Sequence, residues 1–409
     1  MATNTTDKHL TAQELIALEE TLGAHNYHPL DVVISRGEGV WLYDVDGNKY
    51  LDCLSAYSAV NQGHAHPRIV HALIEQAQRL PLTSRAFRND QLPLFYKKLL
   101  EVTGYEMALP MNTGAEAVET AVKAARKWGY QVKRIPENQA EIIVAEGNFH
   151  GRTTTIISFS TEPQYRQDFG PYTPGFVIVP YGDIDAIAKA ITPNTTAILI
   201  EPIQGEAGVV VPPQGYLKGI RELCDQNNIL LIADEIQTGL GRTGMMFASD
   251  HEGVRPDMIV IGKALGGGLY PVSAVVSSKE VLGLFNPGDH GSTFGGNPLA
   301  AAVAQAALDV LVEENLVENS ERMGQYFMDH LEEINSPHID HVRGKGLLIG
   351  VVLKPEAGGA RRFIEMLQND GILAKETHEN VIRFAPPLII DGATIDWVLP
   401  IIRDVLMQP

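Results

Sequence analysis

The chain has 409 residues, 44% of them hydrophobic and 20% charged, which is enough for two or three domains with a substantial core. Its formal charge of −18 argues against nucleic acid and acidic membrane surfaces as partners. Two cysteines, Cys53 and Cys224, are too few for a disulfide framework or a structural zinc site, and they point to a reducing compartment.

The first twenty residues, MATNTTDKHLTAQELIALEE, lack an apolar run of signal-peptide length. They carry acids early, and the first arginine is Arg36, so a mitochondrial leader is not expected either. No window approaches a membrane span, and the expected location is the cytoplasm. The segment YDVDGNKYLD (43–52) reads as a short hairpin with Asp46-Gly47 at its turn. His64 and His66 have the spacing of a metal pair, but no carboxylate or third histidine stands at ligand distance in the sequence, so no metal is expected.

Thr113-Gly114-Ala115-Glu116 predicts the start of a helix with a capping box, followed by apolar positions at Val118, Val122 and Ala125. Gly114 leaves the first N–H groups unobstructed, so a phosphate can sit on the positive end of that helix. Short β-branched runs then recur at 141–146, 176–181, 196–202, 229–235, 258–264 and 272–278. They are nearly continuous in apolar character, as strands covered on both faces should be. Helical patterns at 183–191 and 215–228 lie between them, which predicts an α/β fold with an open, mostly parallel sheet between helices. In such sheets ligands sit beyond the carboxyl ends of the strands, where Glu201, Asp234, Lys263 and the loop Phe149–Arg152 fall.

Asp234 and Lys263 each end a short apolar run, 29 residues apart. A lysine that forms a Schiff base with an aldehyde and a carboxylate that pairs with a ring nitrogen are what pyridoxal 5′-phosphate requires. A carboxylate near 3 Å from that nitrogen contributes about 5 kcal/mol of raw Coulomb attraction at an effective dielectric of 20, before desolvation. Lys263, once released as a neutral amine, is then placed to move a proton. Phe149 follows a strand end and can stack on the ring, while Gln237 can reach the ring hydroxyl. Ser292 and Thr293, in HGSTFGGNP, add hydroxyls of the type a phosphate needs.

Two nucleotide readings fail in the same region. Gly239, Gly241 and Gly244 spell G-x-G-x-x-G, but no helical stripe follows, so these glycines read as turns. Gly262-Lys263-Ala264 resembles the end of a P-loop, yet Asp257 replaces the first glycine and Ala264 has no hydroxyl. From about residue 313 the pattern changes: after the helical run 297–316 come 342–354, a helix, 381–388 and a last helix, which predicts a smaller α+β unit.

Several segments together resemble the class III (fold type I) pyridoxal-phosphate aminotransferases: LSAYSAVNQGHAHP (54–67), MNTGAEAVETAVKAARKWGY (111–130), NFHGRT (148–153), EPIQGEAGVVVP (201–212), STFGGNP (292–298) and RFAPPL (383–388). Within the class, the likeness is to the branch that acts on ornithine, and it extends over nearly the whole chain. It implies a large domain with a seven-stranded type of sheet and a smaller C-terminal domain, with boundaries at 1–62, 63–312 and 313–409. It implies Lys263 as the Schiff-base lysine and Asp234 as the ring partner. Gly114 and Ala115 then hold the phosphate, with Thr293 arriving from a second subunit of a homodimer. It implies that Tyr27 and Arg152 hold the α-carboxylate of L-ornithine and that Tyr57 favours ornithine over shorter ω-amines. Glu206 and Arg383 match a switchable pair in which Glu206 masks the arginine until 2-oxoglutarate binds. His150, beside Arg152, has no role that the sequence supplies. The open rivals are an aminotransferase for N-acetylornithine or 4-aminobutyrate, an isomerase or decarboxylase on the same scaffold, and a non-catalytic protein that binds the cofactor or a partner, which the intact Lys263, Asp234 and Arg152 argue against.

Overall fold

The computed structural model describes residues 10–409. A seven-stranded sheet forms its centre, in the spatial order Met107–Met111, Ser273–Ser277, Met258–Ile261, Leu230–Asp234, Thr195–Ile200, Glu141–Ala145, Phe176–Val179. Only Ser273–Ser277 pairs antiparallel with its neighbours; the four pairings from Met258–Ile261 to Phe176–Val179 are parallel.

The near-continuous apolar runs have their reason in this arrangement. Thr195–Ile200 is buried at every position, with alternate residues facing opposite layers. Ala197 and Leu199 pack with Val118, Val122 and Ala125 of the helix Gly114–Gln131. Ile198 and Ile200 pack with Leu217, Ile220 and Cys224 of the helix Tyr216–Asn227 on the other face. Each such aliphatic side chain contributes about 1.5–3 kcal/mol through burial. The strand Met107–Met111 has no β-branched residue and contains a proline, so its sequence carries no strand signal.

A four-stranded antiparallel sheet lies in the C-terminal region, in the order Ile339–Lys345, Leu348–Leu353, Val381–Phe384, Lys375–Thr377. Its inner strand Val381–Phe384 carries Arg383, opposite Gly350 and Lys375. The hairpin expected at 43–52 is present as Trp41–Asp44 and Lys49–Asp52, extended by Ile34–Glu38. Lys49–Asp52 also pairs in parallel with Ile372–Leu373, so the N-terminal segment shares a sheet with the C-terminal region. Among the described residues, no helix is long and apolar enough to cross a membrane.

Candidate active site

The parallel strands aim their carboxyl ends at one cavity of about 150 Å³. Asp234 is the last residue of its strand, Glu201 follows Ile200 directly, and Lys263 stands two positions after Ile261. Lys263 has a positive φ of 46°, an uncommon conformation for a residue with a side chain. Of the residues singled out from sequence, Gly114, Ala115, Phe149, Glu206, Asp234, Gln237 and Lys263 line this cavity. Burial pushes the Lys263 amine below the ordinary lysine value, against the opposing pull of Glu206 and Asp234.

The helix at the cavity's edge is capped as its sequence predicts. Glu116 N–H donates to Thr113 Oγ1 (3.2 Å), and Thr113 N–H donates to Glu116 Oε2 (2.7 Å). The Gly114 and Ala115 N–H groups have no partner among the described residues, so two donors at the positive helix end face the cavity. Ser292 stands nearby, its Oγ accepting from Asn112 Nδ2 at 2.9 Å. Thr293 is exposed and does not line the cavity of its own chain.

His150 finds its place in the tertiary structure. Its Nδ1 lies 2.7 Å from Asp234 Oδ2, with both side chains almost wholly buried. Burial opposes charge on this imidazole, but the Asp234 carboxylate outweighs it and the pKa is raised. The other Asp234 oxygen accepts from Ile236 N–H at 3.1 Å. Glu201 accepts from Phe149 N–H at 2.8 Å, and this bond fixes the loop that carries the aromatic ring. Burial pushes the Glu201 carboxyl up to about 8, with His150 opposing and Asp234 adding to the rise. Glu201 was legible only as a strand-end residue; its effect on the Phe149 loop was not.

Glu206 and Arg383 form an ion pair of 2.7 Å, with the arginine only 1% exposed. Burial works to raise the Glu206 carboxyl, but Arg383 and Lys263 hold it down at about 2. Gln237 Nε2 donates to the same Glu206 oxygen at 3.0 Å. Arg383 Nε and Nη2, Gln237 Oε1 and His150 Nε2 are buried with no partner among the described residues. Such polar atoms are costly unless something else occupies the site.

Tyr57 lies against this pair, with the Arg383 guanidinium 5.4 Å from its ring centroid. It belongs to a turn, Ser55–Ser58, in which four consecutive non-glycine residues have positive φ: 51°, 47°, 60° and 70°. The left-handed conformation costs roughly 1–2 kcal/mol per L-residue. Arg152 stacks on Tyr165 at 4.1 Å and has no carboxylate partner among the described residues. Tyr165 also meets Phe149 edge-on at 5.9 Å and carried no signal in the sequence. Tyr27 stands 70% exposed in the N-terminal segment.

The glycine-rich run after Asp234 serves turns and close packing. Gly241 and Gly244 have φ of 87° and 85°. A Cβ on Gly244 would lie 2.9 Å from the Glu321 backbone. His64 pairs with Asp52 at 2.7 Å and His66 with Glu314 at 3.2 Å.

The family model for class III aminotransferases matches residues 22–406. The chain belongs to the class III aminotransferases. It is 62% identical over 392 residues to an ornithine aminotransferase of Brevibacillus brevis, covering 96% of this chain and 98% of that one. An ornithine aminotransferase of Toxoplasma gondii, whose structure has partial occupancy of PLP at the active site, matches with a TM-score of 0.96. That pair is 45% identical, with 98% of this chain and 95% of the other covered. An acetylornithine aminotransferase of Elizabethkingia anophelis matches at a TM-score of 0.89 and 49% identity, covering 97% and 99% of the two chains.

Proposed function

We propose that this class III aminotransferase moves the δ-amino group of L-ornithine to 2-oxoglutarate, giving glutamate 5-semialdehyde and glutamate, with pyridoxal 5′-phosphate as its cofactor. The 62% identity to the Brevibacillus brevis enzyme supports the activity. One observation of the site carries the mechanism: a buried arginine, Arg383, masked by Glu206 and keeping two unused donors.

The donor set fits the cofactor. Two free N–H groups at a helix start suit a phosphate, and Asp234 suits a ring nitrogen. Gln237 lines the same cavity, and its buried Oε1 has no partner among the described residues. Bound there, pyridoxal 5′-phosphate would supply a reactive aldehyde and an electron-accepting ring. Asp234 would keep that ring protonated, and His150, paired with it at 2.7 Å, holds the carboxylate in place. Phe149, whose N–H is bonded to Glu201, lines the cavity where it would cover a bound ring. Lys263 would anchor the group and carry the proton, and its depressed pKa favours the neutral amine that this work needs. Ser292 and the Thr293 of a second copy complete the phosphate site, which makes the active unit a homodimer.

The two substrates then need opposite electrostatics. Tyr27 and Arg152 hold the ornithine α-carboxylate, and Arg152 is free of any competing carboxylate among the described residues. While the amine end faces the cofactor, Glu206 neutralises Arg383. When 2-oxoglutarate enters, Glu206 moves away and Arg383 grips its α-carboxylate through a two-pronged fork, while Arg152 takes the distal one. Residues 63–312 are proposed as the cofactor-binding domain, 313–409 as the small domain and 1–62 as the N-terminal segment. Both cysteines are buried and unpaired, which supports a cytoplasmic location.

The likeness to the Elizabethkingia anophelis enzyme makes N-acetylornithine the second reading. Absorbance of the bound cofactor separates the two. Ornithine should convert the spectrum and 2-oxoglutarate restore it, with N-acetylornithine and 4-aminobutyrate slower by about tenfold or more. A faster conversion by either rival amine overturns the ornithine reading and leaves class III chemistry standing.

A further inference from the structure

The left-handed turn Ser55–Ser58 is the most strained segment beside the site, and it is held by bonds that do not touch substrate. Asp52 is buried, and its Oδ1 accepts from the N–H groups of both Leu54 and Ser55 at 2.8 Å. Its Oδ2 lies 2.7 Å from His64 Nε2, so the carboxylate is itself pinned. Ser55 Oγ donates to Ala385 O at 2.7 Å, and Ala385 N–H donates to Cys53 O at 2.7 Å. The peptide two positions after Arg383 is therefore bonded on both sides to the base of the turn. Past the turn, Asn61 Oδ1 accepts from the fully buried Arg242 at 2.6 Å, and Arg242 also donates to Pro386 O at 2.6 Å. Tyr57 and Arg383 thus sit in one frame, 5.4 Å apart, although 326 positions separate them in the chain.

Backbone strain of this kind survives only where the surroundings over-determine it. A right-handed turn would relieve it and would carry the Tyr57 ring away from Arg383. We propose that Asp52 and Ser55 are positioning residues that lock the turn and set Tyr57 against Arg383, so that the turn governs which amine-ended substrate the site accepts. The inference rests on the ornithine reading above and extends it to residues outside the cavity. Asp52 contributes two accepted backbone bonds and Ser55 one donated bond, so each can be removed separately.

The test is a comparison of half-reactions on holoenzymes, with ornithine, 4-aminobutyrate and 2-oxoglutarate, alongside thermal melting. Asp52→Ala and Ser55→Ala should each lower the ornithine-to-4-aminobutyrate ratio of kcat/KM by about tenfold, chiefly through the KM for ornithine. Asp52→Asn keeps an oxygen that accepts both N–H groups and should stay within about threefold of the parent protein. In a Tyr57→Ala background, Asp52→Ala should change the ratio by less than about twofold, because the residue it positions is gone. Should Asp52→Ala not fold, Ser55→Ala, which leaves the carboxylate clamp intact, decides the matter. A ratio unchanged in Ser55→Ala overturns the proposal, as does an equal fall of both half-reactions that follows the loss of melting temperature. If the parent protein already takes 4-aminobutyrate as fast as ornithine, the ornithine reading fails and this inference falls with it. A parent that discriminates, with variants that discriminate as well, sinks the positioning role alone.

Discussion

The residues proposed for the cofactor and those proposed for the substrates are held in different ways. Asp234, Lys263 and Glu201 stand at the ends of three adjacent parallel strands, whose ladder hydrogen bonds leave them little freedom. Those proposed for the substrates, Tyr27, Tyr57, Arg152, Glu206 and Arg383, come from five separate segments; Glu206 lines the cavity and is bonded to Arg383. That bond has to open in the proposed cycle. The contrast teaches where each kind of work is placed. In the proposed cycle, proton and electron chemistry, which needs sub-ångström constancy, falls to residues at the strand ends of the sheet. Discrimination between substrates of opposite end charge falls, in the same proposal, to a side-chain pair that has to open.

The largest expected effect tests the rigid side. Lys263→Ala should lower kcat by about 10⁴-fold or more, because anchor and proton carrier are lost together. Multiple-turnover assays at saturating ornithine measure this, and substantial remaining activity would remove Lys263 from the chemistry. Asp234→Asn should cost about 10²–10³-fold in kcat with little change in the KM for ornithine. A pure KM effect would move Asp234 to the substrate side and break the comparison.

On the adjustable side, Glu206→Gln removes the mask from Arg383. The ornithine half-reaction should fall by about tenfold in kcat/KM while that of 2-oxoglutarate holds or improves. An equal fall in both would mean that the pair acts only in structure.

The pH dependence of apoprotein stability sharpens the contrast further. Glu201 is raised to about 8 from an ordinary 4.5, so the fold keeps a proton that the unfolded chain releases. Its contribution is therefore full below about 4.5 and declines as pH rises through 8. Glu206 is lowered to about 2, so its contribution is full above about 4.5 and is lost as pH falls towards 2. Melting curves of Glu201→Gln should lose the decline between about pH 4.5 and 8, an effect on the order of a few kcal/mol across that window. An unchanged slope between those values would assign the decline to other groups. The smallest effect belongs to the helix cap: Thr113→Ala should cost about 1 kcal/mol of stability and weaken cofactor retention, as read by melting and by dialysis against phosphate.

Much of the rigid side was legible because its signals are local. Asp234 and Lys263 announce themselves as single charged residues closing apolar runs, and the capping box needs only Thr113 and Glu116, three apart. The glycines after Asp234 declared turns because no helical stripe follows them. Three things escaped. The strand Met107–Met111 has neither alternation nor β-branching. The reversed direction of Ser273–Ser277 leaves no trace in its residues. Tyr165 looks like any surface tyrosine until Arg152 is seen stacked on it.

By itself the sequence determined the α/β alternation, the strand-end carboxylate and lysine, and the capped helix start, since each depends on residues within one turn or one strand of each other. The likeness to class III aminotransferases in its motifs added the substrate-side residues as matched positions without contacts. Only the tertiary structure decided that His150 backs Asp234, that Glu201 holds the Phe149 loop, and that Asp52 and Ser55 fasten a left-handed turn beside Arg383. Those arrangements join positions from 52 to hundreds of residues apart, apart from the clamp inside the turn itself. Local propensity cannot encode such pairings: the turn runs against it, and packing at the meeting of two sheets supplies what the backbone alone opposes.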